Sequence, residues 1–156
     1  MPCFPLPVPP SPPALGAARA VNAMQAHRLR RTLGYLWAAP CSLLGLLLAL
    51  PLLLCGARAG RQQGALEIAL WPDDKVRRLP FAAITFGHVI IGQNRLLLAR
   101  LRAHEQVHVR QYQRWGVLLL LAYPAASLWL WLRGRRPYRD NPFEVEARRL
   151  GDGQRD

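Results

Sequence analysis

The chain has 156 residues, enough for one small domain with accessory segments and too few for two independent hydrophobic cores. It carries 21 Lys and Arg against 9 Asp and Glu, a net charge of +12, yet 51% of its residues are hydrophobic. Nucleic-acid binding would account for the charge but not for the apolar content, whereas an anionic lipid bilayer accounts for both. We therefore expect a lipid bilayer as a partner and no nucleic acid. The oligomeric state stays unknown at this point.

The amino-terminal segment, residues 1–31, is rich in proline and then in basic residues. Seven of the first 13 residues are proline, and such a segment cannot bury enough apolar surface to fold. We therefore predict that residues 1–31 are disordered. Met24 is followed by basic residues and then by an apolar run, as at the start of a membrane protein, so we interpret the segment before Met24 as an over-extended gene start.

The next segment, residues 32–57, contains no charged residue, and residues 36–55 are almost wholly apolar. A helix needs about 20 apolar residues to cross the roughly 30 Å hydrocarbon core of a bilayer. We predict that residues 32–57 form a transmembrane anchor. The alternative is a cleaved signal peptide, since Ala57-Arg58-Ala59 has the form of a cleavage site, but the run exceeds the usual apolar region of about 7–15 residues.

Two stretches after the apolar run have the composition of β-strands. Leu66, Ile68 and Leu70 alternate with Glu67 and Ala69, which predicts a short strand. Residues 82–91 are uncharged and rich in β-branched side chains, which predicts a second strand. Within it, Gly87 indicates a close approach of another backbone, and we interpret His88 as a sheet histidine rather than a catalytic one.

A helix follows, with Asn94 as its predicted N-cap. At about 100° per residue, one arc of less than a quarter-turn contains both histidines of the helix and four large side chains. The arc consists of Leu97, Leu101, His104, His108, Tyr112 and Trp115. Arg95, Arg102, Gln106 and Gln113 fall on the far side, so we expect the histidines to face inward.

This helix carries the pentapeptide His104-Glu105-Gln106-Val107-His108. Two imidazoles four residues apart on a helix point the same way, as ligands of a hydrolytic zinc ion do, and the adjacent carboxylate can serve as general base. Such a site needs a third protein ligand and leaves one position for water. The carboxylates that follow the helix are the candidates: Asp140, Glu144, Glu146 and the terminal aspartates.

The motif resembles the zincin metallopeptidases, and within them the gluzincin branch, in which His-Glu-x-x-His is followed by a helix bearing Glu-x-x-Ala. Glu144-Val145-Glu146-Ala147 fits that second motif. The resemblance implies one zinc ion with His104, His108 and Glu144 as ligands and Glu105 as the general base. The chain is also similar to short uncharacterised bacterial membrane proteins with Asn-Pro-Phe-Glu-x-Glu-Ala after the histidine motif. The resemblance covers residues 66–150.

The chain departs from that family at Arg148, where the family often has an aspartate that holds a liganding histidine by a hydrogen bond. Asp140 or Glu146 are the candidates to replace that carboxylate, or to serve as alternative ligands. The group that stabilises the oxyanion of the reaction is not identified by any motif, and Tyr138 and His88 are the candidates for it.

A second uncharged run of 18 residues, residues 115–132, contains Pro124 and is just long enough to span a bilayer. If Glu144 and the histidines bind one ion, this run cannot cross, because crossing would separate them. We therefore predict that residues 115–132 re-enter the membrane, lie at its interface or pack beneath the histidine helix, with a bend at Pro124. Residues 143–150 are predicted to form a short amphipathic helix, and residues 151–156 a disordered tail.

The complete expectation is an α+β protein. Residues 58–150 would form a small zincin-like domain, a short sheet with an active-site helix, behind the amino-terminal transmembrane helix. The predicted function is a zinc-dependent metallopeptidase that hydrolyses a peptide or protein substrate at a bacterial cell membrane, with a single pass and a re-entrant or interfacial segment. The alternatives are a catalytically inactive zinc-binding membrane interaction module and a membrane scaffold in which the motif is accidental.

Overall fold

The computed structural model describes residues 14–74 and 81–152. In these ranges four helices and four strands form a mixed α and β fold, which confirms the α+β class. The elements are α1 (Ala14–Leu54), β1 (Arg58–Gln62), β2 (Ala65–Ala69), β3 (Ala83–Phe86), β4 (Val89–Gly92), α2 (Arg95–Trp115), α3 (Leu118–Leu132) and α4 (Pro142–Asp152).

The four strands form one sheet in the order β1-β2-β4-β3. β2 pairs antiparallel with β1 and parallel with β4, and β3 pairs antiparallel with β4. The strand predicted around Leu66 is confirmed as β2. The single strand predicted over residues 82–91 is wrong: it is a hairpin, β3 and β4, that turns at Gly87 and His88. Gly87 makes the turn possible because its φ of 60° is a conformation that L side chains rarely adopt.

The second half of α1 covers one face of this sheet. Ala49 packs in a buried cluster with Ile68, Val89 and Ile91, side chains that point to the same side of β2 and β4. The helix approaches closely because its inner face is made of small residues. These are Ala38, Cys41, Gly45 and Ala49, all buried. The close approach predicted at Gly87 is confirmed, since a Cβ there would collide with Ser42 and with the carbonyl of Ala38.

The first half of α1 differs from expectation. The described residues divide into two compact units, and the boundary between them falls within α1, between Leu33 and Gly34. Residues 14–31 are helical, where we predicted disorder, because the proline-rich composition ends there and alanine, a strong helix former, becomes frequent. Residues 1–13, for which disorder was also predicted, lie outside the described residues. By length and composition, Asn22–Leu54 could cross a membrane, although a signal sequence or a core helix passes the same test.

Helix α2 covers the opposite face of the sheet. Leu98 and Val109 pack there with Ala65, Ala69 and Ile90. Asn94 is confirmed as the N-cap, because its side chain accepts a hydrogen bond from the Leu97 N–H at 2.8 Å.

The face of α2 that was predicted to lie away from the core is not fully exposed to solvent. Arg102 donates two hydrogen bonds, of 2.8 and 3.0 Å, to the Glu67 carboxylate on β2, and Gln106 is buried. The amphipathic pattern located the histidine face correctly, but α2 lies between the sheet and α4. Its polar residues therefore pack against protein on both sides.

The second apolar run folds back instead of continuing α2. Gly116 ends α2 with a φ of 55°, and α3 leaves at a bend of 115°. The bend predicted at Pro124 is therefore misplaced, since Pro124 lies inside the continuous helix α3. The predicted carboxy-terminal helix is confirmed as α4. Asn141 precedes its first residue, and the Asn141 side chain accepts a hydrogen bond from the Phe143 N–H at 3.0 Å. Of the predicted disordered tail, residues 151 and 152 belong to α4 instead, and residues 153–156 lie outside the described residues.

Replacing Gly87 tests whether α1 is a layer of the domain. We expect Gly87→Ala to lower the free energy of unfolding by about 2 kcal/mol, because alanine is strained at this φ and its Cβ meets α1. Denaturant unfolding in mild detergent measures the change. Gly60→Ala in β1 is the control, because a Cβ at Gly60 meets nothing within 4 Å. Equal stability of the two variants would contradict the packing of α1 on the sheet.

Candidate metal centre

The two histidines of the pentapeptide lie one helical turn apart on α2 and face the interior. Their Nε2 atoms are 3.2 Å apart, and their side chains are only 12% and 11% exposed. Two imidazoles four residues apart project from the same face of a helix, so this proximity follows from the spacing of His104 and His108. The two imidazoles can therefore supply two nitrogen ligands to a single metal ion.

Helix α4 brings a third ligand to the two imidazoles. Glu144 Oε2 lies 3.4 Å from His104 Nε2, and Glu144 Oε1 lies 3.3 Å from His108 Nε2. In a tetrahedral site with bonds of about 2.0–2.1 Å, neighbouring ligand atoms are about 3.3–3.4 Å apart. The three separations lie near that value, with the two Glu144 distances ending on different carboxylate oxygens, and His104, His108 and Glu144 form a group that could hold a metal ion.

The packing of α4 on α2 sets this approach. Ala147, one turn after Glu144, is fully buried, and Gly151, one turn later, is also buried. A Cβ at Gly151 would lie 2.8 Å from the His104 Cα. Small residues on this face of α4 therefore allow the two helix backbones close enough for the Glu144 carboxylate to reach both imidazoles. This is a physical reason for alanine in the Glu-x-x-Ala motif.

Glu144 is a buried carboxylate with an unused acceptor. Among the described residues no group donates a hydrogen bond to Glu144 Oε2, while Tyr123 on α3 donates to Oε1 at 2.8 Å. Burial alone would raise the pKa of Glu144, but the two imidazoles and the Tyr123 hydroxyl outweigh it and hold that pKa well below its ordinary value. The carboxylate is therefore charged, and a cation between it and the imidazoles would satisfy the unused oxygen.

Gln111 fixes the tautomer of His108. The Gln111 side-chain amide donates to the Phe143 carbonyl at 3.0 Å and to Glu146 Oε2 at 2.8 Å. Since only the NH₂ group can serve two acceptors, Gln111 Oε1 must face His108 Nδ1, which lies 2.8 Å away. His108 therefore carries a proton on Nδ1, and Nε2, which lies near Glu144 and His104, is the nitrogen left to bind a metal ion once the ring is neutral.

The two carboxylates considered as replacements for the missing aspartate have different positions. Glu146 contacts the Gln111 amide and Arg114, and it does not belong to the group of described residues that could hold a metal ion. Asp140 lies outside it: its carboxylate accepts from the Arg136 N–H at 3.2 Å and pairs with Arg135 at 3.3 Å. The residue at the aspartate position, Arg148, lies 3.9 Å from Glu144 Oε2 and donates to the Arg139 carbonyl.

Glu105 is buried beside the histidines, and a residue of the sheet fixes its position. Thr85 on β3 donates a hydrogen bond to Glu105 Oε2 at 2.7 Å. One carboxylate oxygen is thereby fixed and the other remains available. Glu105 lines the same cavity as His104, His108 and Glu144. A general base needs this arrangement, one oxygen positioned and one directed to the reacting water.

This cavity has a volume of about 780 Å³ and is bounded by β3, α2, α3 and α4. Tyr138 lines it, and burial of the hydroxyl together with the Glu144 charge raises the pKa of Tyr138 to about 12, so the hydroxyl is protonated at neutral pH. His88 is not brought to the cavity. Its Nδ1 lies 3.1 Å from Ser42 Oγ, its Nε2 lies 2.9 Å from the Gln113 amide nitrogen, and its ring stacks on Tyr35.

Three polar residues of the site were not predicted from the sequence. Gln111 follows His108 by three residues on α2, so helical spacing carried a signal that could have been used. Tyr123 is a polar side chain within an apolar run, which is a weaker signal. Thr85 gave none, because its contact with Glu105 depends on the hairpin and on the docking of α2 against β3.

Removing the Gln111 amide tests its role in holding His108. We expect Gln111→Leu to weaken metal binding about 10–100-fold, because the Nδ1–H of His108 loses its acceptor and the ring its orientation. Competition with a chromogenic chelator measures the affinity. Gln113→Leu is the matched control, the same change two residues along α2 at a side chain that contacts His88 instead. Equal losses in both variants would rule out a specific effect on His108.

No protein-family model, curated protein or solved structure matches this chain.

Proposed function

We propose that this protein is a zinc-dependent metallopeptidase. The observation that carries the proposal is the group of two imidazole nitrogens and one charged carboxylate at tetrahedral separations. Glu105, a second carboxylate, lines the same cavity. A structural metal site needs only closed coordination, whereas a hydrolytic site needs three protein ligands, an open position and an adjacent base. The residues here supply the second set.

Zinc fits the donor set better than calcium or magnesium does. Two neutral imidazoles and one carboxylate oxygen suit zinc, whereas calcium and magnesium prefer all-oxygen sites with six or more ligands. The proton of His108 on Nδ1 leaves Nε2 to bind the metal ion once the ring is neutral. When bound, the metal supplies a water of lowered pKa and an electrophile for the substrate carbonyl.

In the proposed reaction, the residues around the metal site have different roles. His104, His108 and Glu144 would hold the ion, and Gln111 would keep His108 in the liganding orientation. Glu105, which accepts a hydrogen bond from Thr85, would take the proton of the attacking water at its other oxygen and pass it to the leaving amine. The Tyr138 hydroxyl, which lines the same cavity, would donate a hydrogen bond to the developing oxyanion.

The outer edge of the sheet provides a place for the substrate. β3 is an edge strand, because it pairs only with β4, and its residues Ala83–Phe86 line the cavity. An extended peptide can add to such an edge through backbone hydrogen bonds. Ile84, Phe86 and Leu101 form apolar walls beside it, so we infer a preference for apolar substrate side chains near the cleaved bond.

We also infer association with a bacterial cell membrane, on the basis of the long apolar helix α1 and of the resemblance of the sequence to bacterial membrane proteins. The single-pass arrangement predicted from the sequence requires that α1 leave the domain and cross the bilayer. α1 packs on the sheet, and that packing limits how the helix can meet the lipid.

Metal analysis combined with a proteolysis assay tests the function. We expect the wild type to bind one zinc ion and cleave peptides. We expect His104→Ala to lose the metal and the activity together, because a ligand is removed. Glu105→Gln should keep the metal but lose activity by about 10²–10⁴-fold, because the amide cannot accept a proton. Zinc content measured by mass spectrometry and cleavage of a fluorogenic peptide library give the two values.

The matched control is Asp74→Asn, the same loss of a carboxylate charge at an exposed position. It should change neither value. Zinc bound by the wild type and by Glu105→Gln but lost in His104→Ala, without cleavage by the wild type, would favour the inactive zinc-binding module. A wild type without metal would exclude both the peptidase and that module.

A further inference from the structure

Helix α1 is docked on the domain along its apolar length. At one end the Tyr35 hydroxyl donates to the Gly64 carbonyl at 3.1 Å, and at the other Leu52 and Leu53 pack against the cluster of Ile68. Between these ends Ser42 accepts a hydrogen bond from the His88 N–H at 3.0 Å. At about 1.5 Å per residue, the docked stretch is about 27 Å long, close to the full depth of a hydrocarbon core.

This docking conflicts with a membrane-crossing α1. If the docked stretch crossed the bilayer, the sheet beside it would lie at the depth of the hydrocarbon. β1 is an open edge whose residues are all exposed, among them Arg58, Arg61 and Gln62. Open sheet edges and exposed arginines do not occur in contact with lipid chains. With the sheet attached, α1 can meet a bilayer only along its plane.

The outer face of α1 suits that orientation. Five leucines on it fall within about 60° of one another at 100° per residue, opposite the small residues that face the sheet. They are Leu36, Leu43, Leu47, Leu50 and Leu54, and all are more than half exposed. A contiguous exposed apolar stripe of this kind, backed by a folded domain, marks a surface that lies in the membrane interface.

Helix α3 carries a second exposed apolar face. It adjoins α1, since Leu119 shares a buried cluster with Ala38 and Cys41. Its outer face is apolar and exposed, and consists of Leu118, Leu121, Leu128, Trp129 and Leu132. Arg133 lies 4.2 Å over the Trp129 ring, with Arg135 and Arg136 next in the chain. Tryptophan and arginine together are typical of the headgroup region, and the cationic end is complementary to anionic lipid.

The inner face of the same helix is a wall of the catalytic cavity, through Leu119, Leu120 and Tyr123. We propose that the protein lies in the plane of one leaflet on the outer faces of α1 and α3, and that its substrates are apolar polypeptide segments held at that lipid interface. The substrate assignment rests on the proposed peptidase function. The seating, meaning the position of α1 and α3 in the plane of the leaflet, does not rest on it. The two claims can therefore be disproved separately.

Accessibility to a membrane-impermeant maleimide tests the seating. In a full-length protein with Cys3→Ser, Cys41→Ala and Cys55→Ser, one cysteine is introduced by Gln25→Cys or by Gln62→Cys, exposed positions before and after the apolar run. The purified protein is added to or reconstituted with phosphatidylglycerol–phosphatidylcholine vesicles. An in-plane α1 predicts that both positions label from the same side. Labelling from opposite sides, revealed only when detergent opens the vesicles, would overturn the proposal.

Acidic substitutions on the two outer faces test the surface itself. We expect Leu47→Glu and Leu121→Glu each to weaken binding to these vesicles at least about tenfold, because each places a charge where an apolar side chain meets lipid. Gln62→Glu is the control for the added charge, on an exposed strand of the sheet, and should bind as the wild type does. Unchanged binding of both leucine variants would contradict the seating.

The same variants separate the substrate assignment from the proposed function. With a soluble peptide all of them should match the wild type, because neither leucine lines the cavity. With an apolar peptide anchored in the vesicles, Leu47→Glu and Leu121→Glu should lose at least about tenfold in cleavage rate, in proportion to vesicle binding. Equal rates on the anchored peptide would overturn the assignment. If the wild type cleaves neither peptide, the proposed function fails, and the substrate assignment with it.

Discussion

The approach of the Glu144 carboxylate to two imidazoles is the constraint on which the rest of the structure depends. The ligands come from α2 and α4, with an apolar helix between them in the chain. They meet only because Gly116 turns the chain back and because Ala147 and Gly151 let α4 lie against the backbone of α2. Both ends of α3 therefore lie close to the candidate metal centre. Because α2 and α4 stay in contact, α3 cannot cross a bilayer between them.

Burial of these three side chains has an energetic consequence. A charged carboxylate and two imidazoles removed from water are costly unless their polar atoms are satisfied. The surrounding groups satisfy most of them: Tyr123 donates to one oxygen of Glu144 and Gln111 accepts from His108. What remains are an unused carboxylate oxygen and two nitrogens that face one another, which a cation would satisfy together. The same helix α3 that contributes Tyr123 also exposes leucines and tryptophan, so the polar site and the apolar surface are two faces of one element.

The sequence predicted the parts of this arrangement that local patterns determine. Helical spacing placed His104 and His108 on one inward face, alternation gave β2, and Asn94 marked the start of α2. The hairpin at Gly87 was missed because two uncharged strands and a tight turn read as one strand. The bend fell at Gly116 rather than Pro124, since a glycine with positive φ ends a helix more sharply than a proline that the helix accommodates. Thr85 depends on contacts between elements distant in sequence, which no local pattern encodes.

An apolar run of the length of α1 is compatible with a bilayer and with the face of a sheet. In the structure the small residues of α1 pack on the sheet, a contact that the apolar pattern alone did not predict. The centre itself is tested most directly by X-ray absorption spectroscopy of the zinc-loaded protein. The account predicts imidazole and oxygen ligands at about 2.0–2.1 Å, with the imidazole signal lost in His104→Ala/His108→Ala. Absence of bound zinc, or sulfur at about 2.3 Å in its coordination, would contradict it.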